Sequence, residues 1–401
     1  MSQLPSHLDF LIRGGEHPDA EMNEVEKMIL MDSFNKVLTS PSWFELGFKR
    51  SYNFLHCLTF YMTRDPALQR LLFRLAPFPQ YVEMEAAQGY CKLNCIFCEK
   101  TYWNEENQFL SYSDFKKAME QFPDLKWAGI NALGDPFLNK DYWKMLQYLD
   151  NRDVVQELYT SAFQMEQEDM EKFVDLKGMV FLKFSFDAAT KKTYEKLRVG
   201  SDYEKVLNNI IAFDEYRKRR HRAYPKLMFH YIIMKDNIHE APAFLDLIDK
   251  MGIRCDGVTY SRLLHNFKEI NHLFMEIPPE FCSLLYEKGR RLNIPVTFNA
   301  DIPGSKIPAN ECTAWLMPYI FPDGSIICCC CMNEQNRRDW QRATSMGNIF
   351  KQSMREIWYG KAYTQLRNKL KENRIREAHP VCERCNIYDI SKDLCLKDQL
   401  K

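Results

Sequence analysis

The sequence predicts an α/β protein: a partial (β/α)6 barrel of TIM-like form, with a helical N-terminal extension before it and a small Cys-rich domain after it. Three observations predict this. From residue 81 to about residue 261, short apolar strand patterns alternate with longer amphipathic helix patterns, and a strand that returns parallel to its predecessor needs a helix to carry the chain back. Upstream the periodicity is helical only, and beyond about residue 310 the strand-helix rhythm stops and cysteines crowd together. At 401 residues, 27% charged and 13% aromatic, the chain is long and apolar enough for two or three folded domains.

In the extension, residues 1–80, helical patterns run over Glu24 to Leu38 and Pro66 to Leu75, broken by Pro41 and Pro66, with an aromatic-rich stretch from Trp43 to Tyr61. The barrel, residues 81–305, has strand patterns at Tyr81 to Ala87, Trp127 to Ala132, Val154 to Thr160, Met179 to Phe186, Lys226 to Met234 and Gly257 to Ser261. Helix patterns lie between them at Ser113 to Gln121, Lys140 to Asp150, Gln167 to Asp175, Asp202 to Arg219 and Ala241 to Met251. In such folds chemistry sits on the loops at the C-terminal ends of the strands. The last domain, residues 306–401, carries an Asp323-Gly324 turn and one basic helix pattern, Met354 to Glu372, and is of a size that extra cross-linking helps.

Charge and hydropathy exclude several classes. Lys and Arg total 54 against 54 Asp and Glu, which argues against nonspecific nucleic-acid binding. No run approaches about 18 apolar residues, so no membrane span is expected. Met1 to Gly15 lacks the basic-then-apolar order of a signal peptide. A cytoplasmic setting is therefore expected, in which the 14 cysteines are reduced thiols rather than a disulfide framework.

Those cysteines are grouped: Cys91, Cys95 and Cys98; Cys312 with Cys328 to Cys331; and Cys382, Cys385 and Cys395. Cys57, Cys255 and Cys282 stand alone in apolar segments and read as core residues. The first triplet follows the first strand after Gly89, and three thiolates on one tight loop can hold three irons of a cubane and leave the fourth iron open. Zinc is the alternative, although a zinc site wants a fourth Cys or His that this segment lacks.

The C-x3-C-x2-C triplet, with Phe97 before its last cysteine and placed after the first strand of a βα series, resembles the radical SAM superfamily. The resemblance implies a 4Fe-4S cluster on Cys91, Cys95 and Cys98 whose open iron chelates S-adenosylmethionine. Reductive cleavage then gives a 5′-deoxyadenosyl radical that abstracts a substrate hydrogen. Leu133-Gly134-Asp135-Pro136 resembles the family's GGEP segment, with Asp135 where Glu is usual, and Thr160-Ser161-Ala162 stands where relatives commonly have Thr-Asn-Gly. Ser185-Phe186-Asp187-Ala188 and Arg198-Val199-Gly200 resemble the segment after the fourth strand. By this resemblance Phe97, Gly134 and Asp135 border the cofactor, Ser185 contacts its ribose and Arg198 its carboxylate, for which a guanidinium fork is suited. Asn237, in Met234-Lys235-Asp236-Asn237, approaches it from the fifth strand.

Cys312, the Phe321-Pro322-Asp323-Gly324 turn before Cys328 to Cys331, and Cys382-Glu383-Arg384-Cys385 resemble the SPASM or shorter twitch extension of this superfamily. Adjacent strand residues point to opposite faces, so four consecutive cysteines cannot all serve one cluster. Relatives place the ligand five positions after the turn glycine. The resemblance then implies one auxiliary 4Fe-4S cluster on Cys312, Cys329, Cys382 and Cys385, with Cys328, Cys330, Cys331 and Cys395 left over; from the residues alone, a zinc ribbon on the same four thiolates stays open.

The expected activity is that of a radical SAM oxidoreductase supplied with electrons by a reductant such as flavodoxin or ferredoxin. His230, Tyr231 and Tyr260, near strand ends, are the candidate acid, base or hydrogen donor. A small molecule or saccharide is the expected substrate. The alternatives are a ribosomally made peptide and, in a different class, a non-catalytic zinc-stapled binding protein.

Overall fold

The computed structural model describes residues 22–29, 32, 66–103, 105–263, 267–298, 312, 314–330 and 337–383. Along these, α1 (Pro66–Leu75) leads into β1 (Tyr81–Gln88), β2 (Asn94–Cys95) and β3 (Gln108–Phe109). Then come α2 (Tyr112–Met119), β4 (Trp127–Leu133), α3 (Tyr142–Asp150), β5 (Val155–Thr160), α4 (Gln167–Asp175) and β6 (Met179–Ser185). They are followed by α5 (Lys191–Leu197), β7 (Arg198–Val199), α6 (Tyr203–Arg219), β8 (Lys226–Ile233), α7 (Ala241–Met251), β9 (Gly257–Arg262), α8 (Pro279–Leu292) and β10 (Val296–Phe298). The last part holds β11 (Tyr319–Ile320), β12 (Ser325–Ile327), α9 (Arg338–Ala343), β13 (Gly347–Asn348), α10 (Met354–Trp358), α11 (Lys361–Lys371) and α12 (Pro380–Glu383).

One mixed sheet of eleven strands organises the molecule, in the order β10-β9-β8-β6-β5-β4-β1-β11-β12-β13, with β3 paired to β1. Pairs from β1 through β10 along this path are parallel, the partial-barrel arrangement predicted from the alternating pattern. The six predicted strands and five predicted helices appear with ends shifted by at most two residues. Additions that escape periodicity because they are short include β10, a seventh parallel strand of three residues, and the ribbon of β2 with β7; α5, β3 and the fourteen-residue α8 are further additions. The edge of β1 is taken by β11, which pairs with it in parallel, so the last domain continues the barrel sheet.

The helices cover the outer face of the sheet. Their apolar stripes meet alternate strand residues such as Val82, Met84, Leu158, Leu182, Phe184, Phe229 and Tyr231, all buried. The opposite parity faces the barrel interior, and along β8 burial alternates at every residue. The basic helix expected over Met354 to Glu372 is two helices: Gly360 adopts extended geometry as the N-cap of α11, and a Cβ there would come within 2.5 Å of the Glu356 carbonyl oxygen. A capping box between Ser353 and Glu356 starts α10. Cys282 is buried and Cys255 half-buried against the core, as expected of lone cysteines. In the extension, α1 lies where its pattern placed it; most of Glu24 to Leu38, all of Trp43 to Tyr61, and Cys57 lie outside the described residues.

Candidate active site

The cysteine loop starts at Gly89, whose φ of +79° and Cβ position, 2.0 Å from Asn107 Oδ1, admit no side chain. Its carbonyls are tied down by the chain that follows. Lys100 Nζ donates to the Leu93 carbonyl at 3.0 Å and to Asn94 Oδ1 at 3.1 Å, Thr101 Oγ1 to the Cys95 carbonyl at 2.9 Å, and the Tyr102 hydroxyl to the Ile96 carbonyl at 2.6 Å. The Leu93 amide donates to Cys91 Sγ at 3.4 Å, a contact that favours a thiolate. Burial pushes all three thiols up, Cys95 to about 11, while Arg198 pulls Cys91 and Cys95 the other way. Three clustered thiols, Cys95 buried and Cys91 and Cys98 half-buried, that repel one another's charge suit a cation that takes them as thiolates and releases their protons.

Around this loop lies a cavity of about 340 Å³, within the range of small-molecule and cofactor sites. It is lined by the three cysteines and Phe97, by Gly134 and Asp135 from the end of β4, by Thr160 and Ser161 from β5, by Ser185 from β6 and by Arg198. Gly134 packs so closely on the cysteine loop that a Cβ would sit 2.5 Å from the Tyr90 carbonyl oxygen, and the Asp135 amide donates to that oxygen at 2.6 Å. Asp135 Oδ1 accepts from the Phe137 amide at 3.1 Å, and burial raises the carboxyl to about 6. Arg198, 6% exposed, pairs with Asp187, lies over the Phe97 ring with 5.5 Å to its centroid, and keeps Nε without a partner. Burial works against its charge, and the Asp187 carboxylate together with Cys95 and Tyr194 more than offsets that.

Of the three candidate acid-base residues only His230 lines the cavity. Its Nε2 lies 2.9 Å from Ser261 Oγ, and burial, with Lys183 and Arg198 nearby, lowers the imidazole to about 4. Tyr231 and Tyr260 have the other strand parity. They are buried among the helices, where their hydroxyls donate to the Asn237 carbonyl at 2.8 Å and the Ala241 carbonyl at 3.0 Å. The expectation that these two face a substrate is corrected by their position on the sheet. Asn237 also stays outside the cavity lining: its Nδ2 donates to the Asp187 and Ile232 carbonyls and its Oδ1 accepts from the Met234 amide, so its amide holds the β8–α7 turn instead of meeting a cofactor.

Sequence reasoning missed a polar chain across the barrel interior. Lys183 Nζ bridges Glu157 at 2.7 Å and the Tyr159 hydroxyl at 3.1 Å, and the Tyr81 hydroxyl lies 2.7 Å from Glu83 Oε1 and 2.9 Å from Glu157 Oε1, with one hydrogen to donate to either. Burial, together with the neighbouring Glu157, raises Glu83 to about 7, against pulls from Tyr81 and Lys183. An ammonium only donates, so Tyr159 accepts from Lys183 and its own hydrogen is free to turn into the cavity that Tyr159 lines. The signal was present as charged residues at alternate positions of otherwise apolar strands: Glu83 and Glu85, Glu157, and Lys183.

In the last domain, Gly324, with φ +84° and the Phe350 ring 2.4 Å from its would-be Cβ, turns β11 into β12. Beyond it Cys328 is buried and hydrogen-bonded to Cys329, and it also feels the charges of Cys382 and Cys312. The strand ends at Ile327, so alternation ceases to apply and Cys328 joins the group from which strand parity had set it apart. Cys385, Cys331 and Cys395 lie outside the described residues. Beside this group, Arg338 on α9 reaches back into the barrel, where its Nη2 contacts both oxygens of Glu85 at 2.9 and 3.1 Å. Both side chains are fully buried, and the guanidinium lies 3.7 Å from the centroid of Phe321.

Comparison with known proteins adds to this geometry. Residues 87–248 match the family model described as the Radical SAM superfamily, and residues 312–386 match SPASM, an iron-sulfur cluster-binding domain. The tungsten-containing aldehyde ferredoxin oxidoreductase cofactor-modifying protein of Pyrococcus furiosus is 22% identical over 75% of this chain and 85% of its own length. A probable GTP 3′,8-cyclase of Methanococcus maripaludis is 23% identical over 40% of this chain and 53% of its own length. Among solved structures, Streptococcus suis SuiB bound to S-adenosylmethionine superposes with a TM-score of 0.59 at 14% identity, over 90% of this chain and 82% of SuiB. Native anSMEcpe with bound AdoMet gives 0.53 at 13% identity, over 71% of this chain and 81% of that one.

Proposed function

This chain belongs to the radical SAM superfamily and carries a SPASM iron-sulfur domain, and from that premise we propose that it is an oxidoreductase acting on a small molecule or saccharide. The cofactors of these domains are a 4Fe-4S cluster with S-adenosylmethionine and auxiliary iron-sulfur ligation. The residues present fit them: one cavity joins the three thiols of the cysteine loop to an arginine with an unpartnered Nε and to the Gly134-Asp135 cradle. That convergence is the observation that carries the reading. When bound, the group supplies a 5′-deoxyadenosyl radical by one-electron reductive cleavage, and that radical abstracts a substrate hydrogen.

The chain's own residues do the rest. Cys91, Cys95 and Cys98 hold the cluster, the Gly134-Asp135 segment and Ser185 border the cofactor, and Arg198 takes its carboxylate. Tyr159 presents a hydroxyl to the substrate and His230 stays neutral beside it, so the cavity wall offers hydrogen bonds to oxygen-bearing groups. Cys312, Cys329, Cys382 and Cys385 hold one auxiliary cluster that accepts the substrate's electron or binds the substrate. Electrons come from a flavodoxin- or ferredoxin-like reductant in the cytoplasm.

The names of the sequence relatives, a cofactor-modifying protein and a nucleotide cyclase, favour a small molecule. A second reading, modification of a ribosomally made peptide, is motivated by the likeness to SuiB, which has been crystallised with its precursor peptide SuiA; tight capture of a precursor peptide by the cluster-loaded protein would establish it. The central test is anaerobic incubation with S-adenosylmethionine and a strong reductant. The expected product is 5′-deoxyadenosine from the native chain and none from Cys95→Ala. A colourless protein holding zinc and no sulfide, or an intact cluster that yields no 5′-deoxyadenosine, refutes the proposal.

A further inference from the structure

We propose that Arg198 raises the reduction potential of the cluster on Cys91, Cys95 and Cys98, and that Asp187 is the counter-charge that limits this effect. The inference rests on the assignment of those three thiols to a cluster, made above. Its geometry comes from the small ribbon of β2 and β7, in which Cys95 stands directly opposite Arg198. Directly opposed residues of an antiparallel pair project to the same face with Cβ atoms about 4.5–5.5 Å apart. The register is fixed by the neighbouring bond from the Ile96 amide to the Leu197 carbonyl, 3.0 Å.

The guanidinium has little freedom to leave. It is 6% exposed, lies over Phe97, and is gripped by Asp187 Oδ2, while Asp187 Oδ1 is itself anchored by the Ile232 amide at 2.8 Å. Arg198 and the three cysteines line one cavity. A reduced cluster carries one more negative charge than an oxidised one, so a fixed buried cation stabilises the reduced form, with little screening by salt. Asp187, 1% exposed, acts in the opposite sense. The two do not cancel, because Arg198 lines the cavity together with the three cysteines whereas Asp187 stands behind it, outside the lining.

This electrostatic role is separate from any grip on a carboxylate, so it is measured without S-adenosylmethionine. Cluster-loaded full-length protein, Arg198→Met, Arg198→Lys and Asp187→Asn are titrated anaerobically against dyes of known potential, with the reduced clusters followed by electron paramagnetic resonance. Iron and sulfide are counted in each. Arg198→Met should lower the potential and Asp187→Asn should raise it. Each change should be about tenfold in the reduced-to-oxidised ratio at fixed potential, or ~59 mV for one electron. Arg198→Lys should stay within about a third of that change. The auxiliary cluster is the internal reference and should not move. A role that is only structural would shift no potential, or would shift both variants the same way, and either result with full iron content overturns the proposal. If Asp187→Asn does not fold, the contrast between Met and Lys at position 198 decides. A native chain that takes up no cluster on the three cysteines overturns the assignment and this inference together, whereas unmoved potentials in loaded protein overturn the inference alone.

Discussion

Replacing Arg338 by Met strands a carboxylate in the seam between the barrel and the Cys-rich domain, and the consequence can be worked out. Glu85 and Arg338 are both fully buried; besides the guanidinium, Glu85 has the Tyr319 hydroxyl at 3.2 Å. Removing one partner of a buried pair typically costs about 3–5 kcal/mol. Protonation sets a ceiling on the charge penalty, because a carboxyl of ordinary value 4.5 can be neutralised for about 1.4 kcal/mol per pH unit above that value. The ceiling is about 5 kcal/mol at pH 8 and about 1.4 kcal/mol at pH 5.5. The sign follows from the direction of the shift. Burial already raises Glu85, and Arg338 opposes that rise, so the variant raises it further. Stability linked to this group is then present below pH 4.5 and lost as pH climbs through the folded value. Anaerobic urea unfolding of cluster-loaded protein at the two pH values, followed by tryptophan fluorescence and by the visible absorbance of the clusters, measures the difference. Glu85→Leu combined with Arg338→Met should restore much of the loss at pH 8. A cost equal at both pH values, or a double variant no more stable than Arg338→Met, would refute the buried-charge reasoning.

Three further outcomes follow from the site. Tyr231→Phe removes a buried hydroxyl bonded to the Asn237 carbonyl, so it should lower stability by about 1 kcal/mol in thermal unfolding and leave 5′-deoxyadenosine formation unchanged. His230 sits near 4 in the folded chain against 6.5 unfolded, so acid unfolding should draw on it as pH falls from 6.5 to 4, by at most about 3.4 kcal/mol, and His230→Asn should flatten that part of the profile. Gly134→Ala forces a Cβ to 2.5 Å from the Tyr90 carbonyl, so it should cost about 1–3 kcal/mol of stability and weaken S-adenosylmethionine binding in calorimetric titration while iron content is kept.

The parts of the site that lie on loops, at strand ends or in the short ribbon were legible from residue types and spacing: the cysteine triplet, Gly134-Asp135, Ser185 and Arg198 all border one cavity. Residues inside strands were harder. Tyr231 and Tyr260 were singled out for their chemistry and their nearness to strand ends, but parity places them among the helices, whereas the same rule applied to Glu157, Lys183 and His230 points inward. The ribbon that brings Arg198 to Cys95 is two residues long on each side and carries no periodic signal. Cys328 was set apart by a strand rule that stops applying one residue earlier, at Ile327. Arg338 and Glu85 are 253 positions apart, and nothing local marks them as partners.

The pairing of β1 with β11 bears on how a substrate is accommodated. Because both halves share one continuous hydrogen-bonded sheet, clamped further by Arg338 in Glu85, they cannot hinge apart without breaking main-chain bonds. The span between the Cys91–Cys98 loop and the thiols around Cys328 therefore behaves as a fixed ruler. On the function proposed above, a substrate lying between them would have to fit that preset length, and an electron passing to the auxiliary cluster would cross the same distance in every turnover.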